Sequence, residues 1–327
     1  MKELIILVPN GEAGNLSSIV GPYKIFTRAN DIWKAKTNHP IFRINLVGSK
    51  REVDFYEGLF SVKVQKQLSE IKKADLILIP SLNHNYDQAV KDNKEMMEWI
   101  KCQYLEGAEV ASICTGAFLL AATGLLDGKT CSTHYSAALD FAKRFPAVRL
   151  ATDQIITDEN GIYTNGGAYS FLNLIIYLIE KYYDRQVAIL CAKIFQVEMD
   201  RERQSIFSIF KGQKNHEDAA ILEAQQYIEG HYADSISIAA LSKRLAIGRR
   251  NFDRRFIKAT GNRPIEYLQR VRIESAKKAL ESTDKHITEV MYEVGYADQK
   301  AFREVFRKVT GLSPIDYKHR YNKEAAL

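Results

Sequence analysis

The chain has 327 residues, of which 46% are hydrophobic and 26% charged, and its net charge at pH 7 is +6. This length favours two domains, and the composition is that of a soluble protein with apolar cores. Residues 1–200 carry 22 Lys and Arg against 23 Asp and Glu, whereas residues 201–327 carry 24 against 17. The basic C-terminal part predicts a polyanionic partner, although a solvated basic surface would give the same counts.

Neither a membrane span nor a signal peptide is predicted, because the apolar run at Leu4–Val8 is short and reads as a strand. We therefore expect a cytoplasmic protein without a membrane partner. The cysteines show no CxxC spacing and no His partner at zinc-site spacing; they are Cys102, Cys114, Cys131 and Cys191. We expect reduced thiols, and we predict no disulfide, no metal and no cofactor.

Residues 1 to about 200 alternate apolar runs with amphipathic segments. The predicted strands are Leu4–Val8, Phe42–Val47, Leu76–Ile79 and Val110–Ile113. The predicted helices between and after them are Tyr23–Asn30, Tyr86–Leu105, Thr115–Thr123 and Ala137–Phe145. A predicted hairpin and two further helices follow, at Gln154–Thr157 with Ile162–Thr164, at Tyr169–Tyr182 and at Gln186–Glu198. This order predicts a parallel sheet covered by helices on both faces.

A strand-to-helix turn is predicted at Ser112–Ala117, which reads SICTGA. Such a turn lifts one side chain above the edge of a sheet, where the next N–H and the helix dipole favour an anion. We therefore expect Cys114 to be exposed with a lowered pKa; a buried structural thiol is the alternative. His134 ends another strand-like run and is expected to reach Cys114, a pairing that suits thiolate chemistry, unless the His is structural.

Four segments carry a resemblance to a known family: Gly21–Pro22, Ser112–Gly128 (SICTGAFLLAATGLLDG), Ser132–His134 and Asp158–Gly167. They resemble the PfpI-like branch of the class I glutamine-amidotransferase superfamily, in particular the form fused to a DNA-binding domain in GlxA-like regulators. The resemblance spans roughly residues 1–200 and implies a flavodoxin-like α/β sandwich, often dimeric, with a small-molecule pocket. The ligand-binding residues implied are Ser18, Pro22, Ser81, Cys114, Thr115 and His134.

Two departures from this family argue against catalysis. Enzymatic relatives place a carboxylate where Ser18 stands, and they commonly carry a Gly-Gly pair where Ser81 and Leu82 follow Pro80. Without them, acid/base chemistry and close backbone approach are both compromised. We therefore predict no catalytic residues, with Cys114 and His134 as vestiges in a sensor site.

Residues 201–216 are polar and irregular and are the predicted linker, which is followed by a helical domain at 217–322 and a tail at 323–327. An internal repeat lies in this domain. Phe252–Tyr267 and Phe302–Tyr317 match at eight of sixteen positions with an offset of 50 residues. In each copy, two Phe four residues apart share a helix face, a Gly permits the left-handed turn that ends the helix, and a Pro prevents it resuming.

Each copy extends backward into a helix, a tight turn and a second helix, which predicts an all-α domain with two helix-turn-helix units. The side chains expected to contact DNA are Arg249, Arg250, Asp253, Arg254, Gln299, Lys300 and Arg303. Asp253 is expected either to accept from a cytosine amino group or to pair with a neighbouring Arg. The first helix is richer in arginine, so we expect the loss of Arg250 to cost more affinity than the loss of Arg303.

A connecting helix at Pro264–Leu280 is predicted to hold the two units, with Arg270, Arg272, Lys277 and Lys278 on its outer side. On successive major-groove turns the two reading helices would lie roughly 34 Å apart. This region resembles AraC-type regulators through Gly261–Pro264, Arg272–Ala276, Ile287–Gly295 and Phe302–Pro314. Gly248 departs from that pattern, because a Ser or Thr cap is usual there.

The sequence therefore predicts a transcription regulator that binds specific DNA and responds to a small molecule near Cys114. Its expected partners are double-stranded promoter DNA, an unidentified effector and a second copy of the chain, with RNA polymerase as a further candidate. A thiol-dependent hydrolase, amidase or isonitrile-hydratase-like enzyme is one alternative. A redox sensor acting through Cys114 is the other.

Overall fold

The computed structural model describes residues 1–11, 14–83, 85–199, 210, 212–214 and 216–322. Contacts divide the chain into two compact units, Met1–Gln204 and Ser205–Leu327. Most of the predicted linker, namely residues 201–209, 211 and 215, lies outside the described residues, as does the predicted tail at 323–327. The exact domain boundaries stay predictions.

Eleven strands are described in the first unit: β1 Lys2–Leu7, β2 Phe42–Gly48, β3 Glu52–Phe55, β4 Phe60–Lys63, β5 Lys66–Gln67, β6 Leu76–Ile79, β7 Glu109–Ile113, β8 Thr130–Cys131, β9 Arg149–Leu150, β10 Ile156–Glu159 and β11 Ile162–Asn165. Seven form one sheet in the order β10-β11-β7-β6-β1-β2-β5. All its pairs are parallel except β10 with β11, so the predicted parallel sheet and hairpin are confirmed. The sequence missed the short β3, β4, β5 and β9, whereas β8 lies in the strand-like run predicted before His134.

Helices cover both faces of this sheet: α1 Ser17–Thr37, α2 Tyr86–Asp92, α3 Lys94–Leu105, α4 Ala117–Ala122, α5 Ala138–Arg144, α6 Phe171–Tyr182 and α7 Arg185–Phe195. Strand β1 shows why, since Leu4 and Ile6 lie in one core cluster and Ile5 and Leu7 in the other. Because successive side chains of a strand point to opposite faces, an uninterrupted apolar run requires cover on both.

The predicted helix at Tyr86–Leu105 is wrong in one respect, because it divides into α2 and α3 at Asn93. This residue is 1% exposed, and its side-chain amide donates to the carbonyl of Ala89 at 2.8 Å. Its side-chain oxygen accepts from the N–H of Asn10 at 2.7 Å. An Asn that bonds the backbone in this way competes with the helical ladder and ends α2.

The second unit is all-helical: α8 Ala219–His231, α9 Ile238–Arg244, α10 Arg249–Thr260, α11 Pro264–Ser282, α12 Ile287–Glu293, α13 Gln299–Thr310 and α14 Pro314–Tyr321. It has two core clusters, one around Phe252 and Phe256 and the other around Phe302 and Phe306. Both draw on α11, which supplies Leu268 to the first cluster and three apolar side chains to the second.

The sequence repeat is also a structural repeat. The rings of Phe256 and Tyr267 meet edge to face at 5.4 Å between centroids, and those of Phe306 and Tyr317 do so at 5.5 Å. Each preceding helix ends at a glycine in the left-handed region, with φ of 70° and 81° respectively. Because the same local sequence meets the same packing partners, the two halves converge on one geometry.

Two side chains of α11 are not on its outer side, which corrects the prediction. Lys277 is 5% exposed and its ammonium lies 2.8 Å from a carboxylate oxygen of Glu274. Arg272 is half-buried, and its guanidinium donates to the carbonyls of Tyr232 and Asp234. Helical spacing alone misplaces these residues because α11 packs against neighbours along more than one face.

Candidate functional site

Four of the residues predicted from the first unit lie at the C-terminal edge of the sheet, namely Ser18, Ser81, Cys114 and Thr115. Strands β1 and β6 are neighbours; the connection that follows β1 runs to β2 and the one that follows β6 runs to β7, in opposite directions across the sheet. Ligands bind open α/β sheets at such a point. Ser18 follows β1 and Ser81 follows β6, and the N–H of Ser81 donates to the Ser18 hydroxyl at 3.0 Å. An isolated β-bridge between Gly14 and Leu82 joins the same two loops.

Cys114 stands directly after β7 with φ of 54°, a conformation that is strained for a residue with a side chain. Gly116 makes this turn possible, because a Cβ at that position would lie 2.5 Å from the carbonyl oxygen of Pro80. The turn is thus packed against the end of β6. The predicted strand–turn–helix geometry is present.

The predicted exposure of Cys114 and its lowered pKa are wrong. The residue is 5% exposed, and burial raises the pKa of its thiol to about 11 in spite of hydrogen bonding with Thr115. Burial removes the water that would solvate a thiolate, so the thiol stays protonated at neutral pH. Cys114 is therefore a buried thiol, which was the alternative prediction.

The side chains of Thr115 and His134 form hydrogen bonds within the protein. The Thr115 hydroxyl donates to the carbonyl of Leu82 at 2.7 Å and accepts from its N–H at 2.9 Å. His134 accepts the N–H of Ser136 at Nδ1 and so caps a short helical turn, while the hydroxyl of the preceding Thr133 donates to the Cys114 carbonyl at 3.0 Å. Pro22 is buried inside α1. The structure thus links Ser18 to Ser81, and Thr115 to the loop that follows Ser81.

Two cavities are described, and neither is lined by these residues. One, of about 310 Å³, lies along α7 and the residues after it, and the other, of about 440 Å³, lies in the second unit beside Arg272 and Tyr296. In the described part of the chain, no group of three His, Cys, Asp or Glu side chains could hold a metal ion. None of the described helices combines the length and apolar content needed to cross a membrane.

Helices α10 and α13 are the predicted reading helices of the second unit. Each buries its two Phe and leaves its polar face exposed, including Arg249, Arg250 and Arg254 of α10, and Gln299, Lys300 and Arg303 of α13. Their N-termini differ. Gly248 provides no side-chain cap to α10, whereas Asp298 accepts the N–H of Ala301 at 2.6 Å and caps α13.

Side-chain pairing also differs between the two helices. In α10, the Nε of Arg249 lies 3.1 and 3.0 Å from the two carboxylate oxygens of Asp253. One turn on, Arg254 donates to the side-chain oxygen of Asn251 at 3.0 Å. Among the described residues, no such side-chain partner is found for Arg250, Gln299, Lys300 or Arg303. The predicted pairing of Asp253 with a neighbouring Arg is present, and its contact with a cytosine amino group stays a prediction.

Sequence reasoning missed the pair that attaches α10 to α8. Arg255 donates from two nitrogens to Asp218, at 2.8 and 2.6 Å, and Asp218 also caps α8 by accepting the N–H of Ile221. The hydrogen bond from Arg255 lowers the pKa of the Asp218 carboxyl. An Asp before a helix signals a cap, but nothing local to the sequence identifies an Arg 37 residues away as its partner.

Comparison with known proteins agrees with both units. Residues 7–181 match the DJ-1/PfpI family model, which covers more than half of the chain. The chain belongs to the DJ-1/PfpI family. Residues 241–320 match a helix-turn-helix domain model. The chain therefore joins a DJ-1/PfpI domain to a helix-turn-helix domain of AraC type, as the sequence predicted.

Two curated relatives from Pseudomonas aeruginosa are HTH-type transcriptional regulators. GbdR is 25% identical over 68% of this chain and 61% of its own length, and CdhR is 22% identical over 78% of this chain and 75% of its own. The match thus spans about three fifths of GbdR. A ThiJ/PfpI family protein from Pseudomonas syringae has 17% identity and a TM-score of 0.51 over 61% of this chain and 76% of its own, which shows a shared fold.

Proposed function

We propose that this DJ-1/PfpI family member is a sequence-specific DNA-binding transcription regulator. One observation carries the proposal: the second unit contains two helix-turn-helix units that present exposed cationic side chains on α10 and α13. Arg and Lys on such helices neutralise phosphates and donate to base edges. The relatives named as transcriptional regulators support the same function.

A titration of the full chain on genomic DNA fragments, selected by binding, tests this function. We expect Arg250→Ala and Arg303→Ala to weaken binding by about 1–3 kcal/mol if they read bases, or to lower the salt slope by about 1 if they contact phosphates. Lys278→Ala is the matched control, since it removes an exposed cation of α11 outside the reading helices. If Arg250→Ala and Arg303→Ala both leave the affinity and the salt slope unchanged, the assignment of these two residues as DNA contacts is wrong.

The first unit is proposed to bind a small-molecule effector at the sheet edge around Cys114. The position of Ser18 and Ser81 at the point where connections diverge supports this location. Because both are buried and bonded to each other, an effector would have to separate the loops that carry them. A ligand that stabilises this open arrangement could then bias the DNA-binding unit, which is the requirement for allosteric coupling.

A metabolite thermal-shift screen on the full chain tests the effector site, with Ser18→Ala as the diagnostic variant. The effector is expected to raise the melting temperature of the wild type and to act differently on this variant. A hit whose shift is identical in the wild type and in Ser18→Ala and Ser81→Ala would place the site elsewhere.

The enzymatic alternative is disfavoured by hydrogen bonds at the position where relatives shape an oxyanion hole. The N–H of Ser81 donates to Ser18 and that of Leu82 donates to Thr115, so both backbone donors are engaged internally. A thiol whose pKa is raised to about 11 is a poor nucleophile and a poor peroxide sensor at neutral pH. Turnover of an amide, glyoxal or isonitrile that disappears in Cys114→Ser would reinstate the enzyme.

A homodimer is part of the proposal. The surface proposed for the second copy of the chain includes Leu190 and Ile194, which lie one turn apart on α7 and are 42% and 46% exposed. Sedimentation analysis of the wild type against Leu190→Glu/Ile194→Glu should show a dimer and a monomer respectively. A monomeric wild type at the concentrations that bind DNA would rule this out.

A further inference from the structure

The two reading helices present different chemistry at equivalent positions. With the repeat offset of 50 residues, Arg249 corresponds to Gln299 and Asp253 to Arg303. The buried Phe and Thr residues around them are the same in both copies. The difference is therefore confined to the exposed face that a major groove would meet, and it predicts that the two helices read different bases.

Helix stability does not explain Arg249 and Asp253. The pair is solvent-exposed, with 48% and 35% of the two side chains accessible, so it contributes little to folding. Arg249 is also the first residue of α10, where a cation opposes the helix dipole, and Gly248 offers no compensating side-chain cap. The stability of α10 therefore gives little reason for this pair.

The geometry of the pair leaves the base-reading groups available. In the described part of the chain, Arg249 uses only its Nε, toward both oxygens of Asp253, so its two terminal amino groups remain donors. That fork matches the O6 and N7 acceptors of guanine, and a carboxylate accepts from the N4 amino group of cytosine. Guanine and cytosine are partners in one base pair, so adjacent side chains can read both edges.

We propose that Arg249 and Asp253 act as one reading unit for a single G·C base pair in the major groove. The carboxylate holds the guanidinium in the orientation that guanine requires and accepts from the cytosine of the same pair. Helix α13, with Gln299 and Arg303 at the corresponding positions, reads a different sequence. This inference rests on the proposed DNA-binding function.

The test compares full-length wild type, Arg249→Ala, Asp253→Ala and the double variant. Binding sites are selected from a random DNA library, and affinity is then measured at fixed salt for the selected site and for versions with each G·C pair replaced by A·T. We expect the wild type to discriminate at one pair by about 5- to 150-fold and Arg249→Ala to lose this discrimination. Asp253→Ala should discriminate less there, yet bind unrelated DNA more tightly, because it removes a negative charge beside the phosphates.

Two further variants separate a reading role from a general charge effect. Glu304→Ala removes an exposed acid from α13 and should keep the discrimination at that base pair. Arg249→Gln/Asp253→Arg places the chemistry of α13 on α10 and should change the selected base at that position. Circular dichroism confirms folding of each variant.

The outcomes are distinct. Full discrimination in Asp253→Ala, or independent and additive effects of Arg249→Ala and Asp253→Ala, would overturn the reading unit while leaving DNA binding intact. A wild type that selects no sequence from the library would overturn the proposed function itself.

Discussion

Thr260 and Thr310 occupy equivalent buried positions at the ends of α10 and α13. The Thr260 hydroxyl donates to the carbonyl of Phe256 at 2.8 Å and accepts the N–H of Asn262 at 3.1 Å. Thr310 repeats both bonds, to the carbonyl of Phe306 at 2.8 Å and from the N–H of Leu312 at 3.1 Å. Thr260→Val keeps the shape of the side chain and removes both bonds.

We expect Thr260→Val to lower the free energy of unfolding of the second unit by about 1–3 kcal/mol. Each of the two lost hydrogen bonds contributes about 0.5–1.5 kcal/mol, and a backbone N–H is left without its partner. Thr310→Val should cost a similar amount, since its bonds have the same lengths. Thr260→Ser keeps the hydroxyl and should lose less.

The chain provides a way to measure the two units separately in urea. Its two tryptophans, Trp33 and Trp99, both lie in the first unit, so tryptophan fluorescence follows that unit alone. Far-UV circular dichroism follows both units. The Thr260→Val transition should shift when it is followed by circular dichroism and stay in place when it is followed by fluorescence. A shift below about 0.5 kcal/mol would show that these buried hydrogen bonds do not stabilise the second unit.

Four further predictions concern residues outside the exposed faces of α10 and α13. At neutral pH a thiol reagent should modify the exposed Cys102 quickly and the buried Cys114 only on unfolding. Fast labelling that persists in Cys102→Ser would contradict the burial of Cys114. Burial raises the pKa of Cys114 in the folded state to about 11, so this thiol loses its proton at a lower pH in the unfolded chain than in the folded one. The stability of the first unit, followed by fluorescence, should therefore fall as pH rises from about 9 to 11. Asp218→Ala should destabilise the second unit by about 1–2 kcal/mol, because it removes the cap on α8 and the hydrogen bond from Arg255. Since the pKa of Asp218 is lowered, this stabilisation is present at neutral pH and is lost as pH falls through that pKa. A variant as stable as wild type by circular dichroism would contradict this prediction. Gly116→Ala should cost the first unit about 1–3 kcal/mol, because the added methyl meets the Pro80 carbonyl, and an unchanged fluorescence transition would show that this turn can relax.

Features that follow from local rules could be predicted from the amino-acid sequence. An apolar run such as Leu4–Val8 forms a strand that is buried on both faces, and the Phe pairs with a following Gly and Pro define where α10 and α13 end. These signals are carried by residues close together in the chain. For that reason the α/β unit, the helical unit and the internal repeat were all predicted correctly, and so were the exposed positions of the cationic side chains on α10 and α13.

The burial of polar groups and their hydrogen-bond partners, in contrast, depend on long-range packing. The turn at Cys114 was predicted, but its burial depends on segments after β6 and before α5 that cover it, and so the predicted direction of its pKa shift was wrong. Ser18 closes against Ser81, 63 residues away, and Arg255 bonds Asp218 across 37 residues. Local periodicity carries no information about such pairings, because burial and hydrogen bonding are set by whichever distant segment packs against a residue.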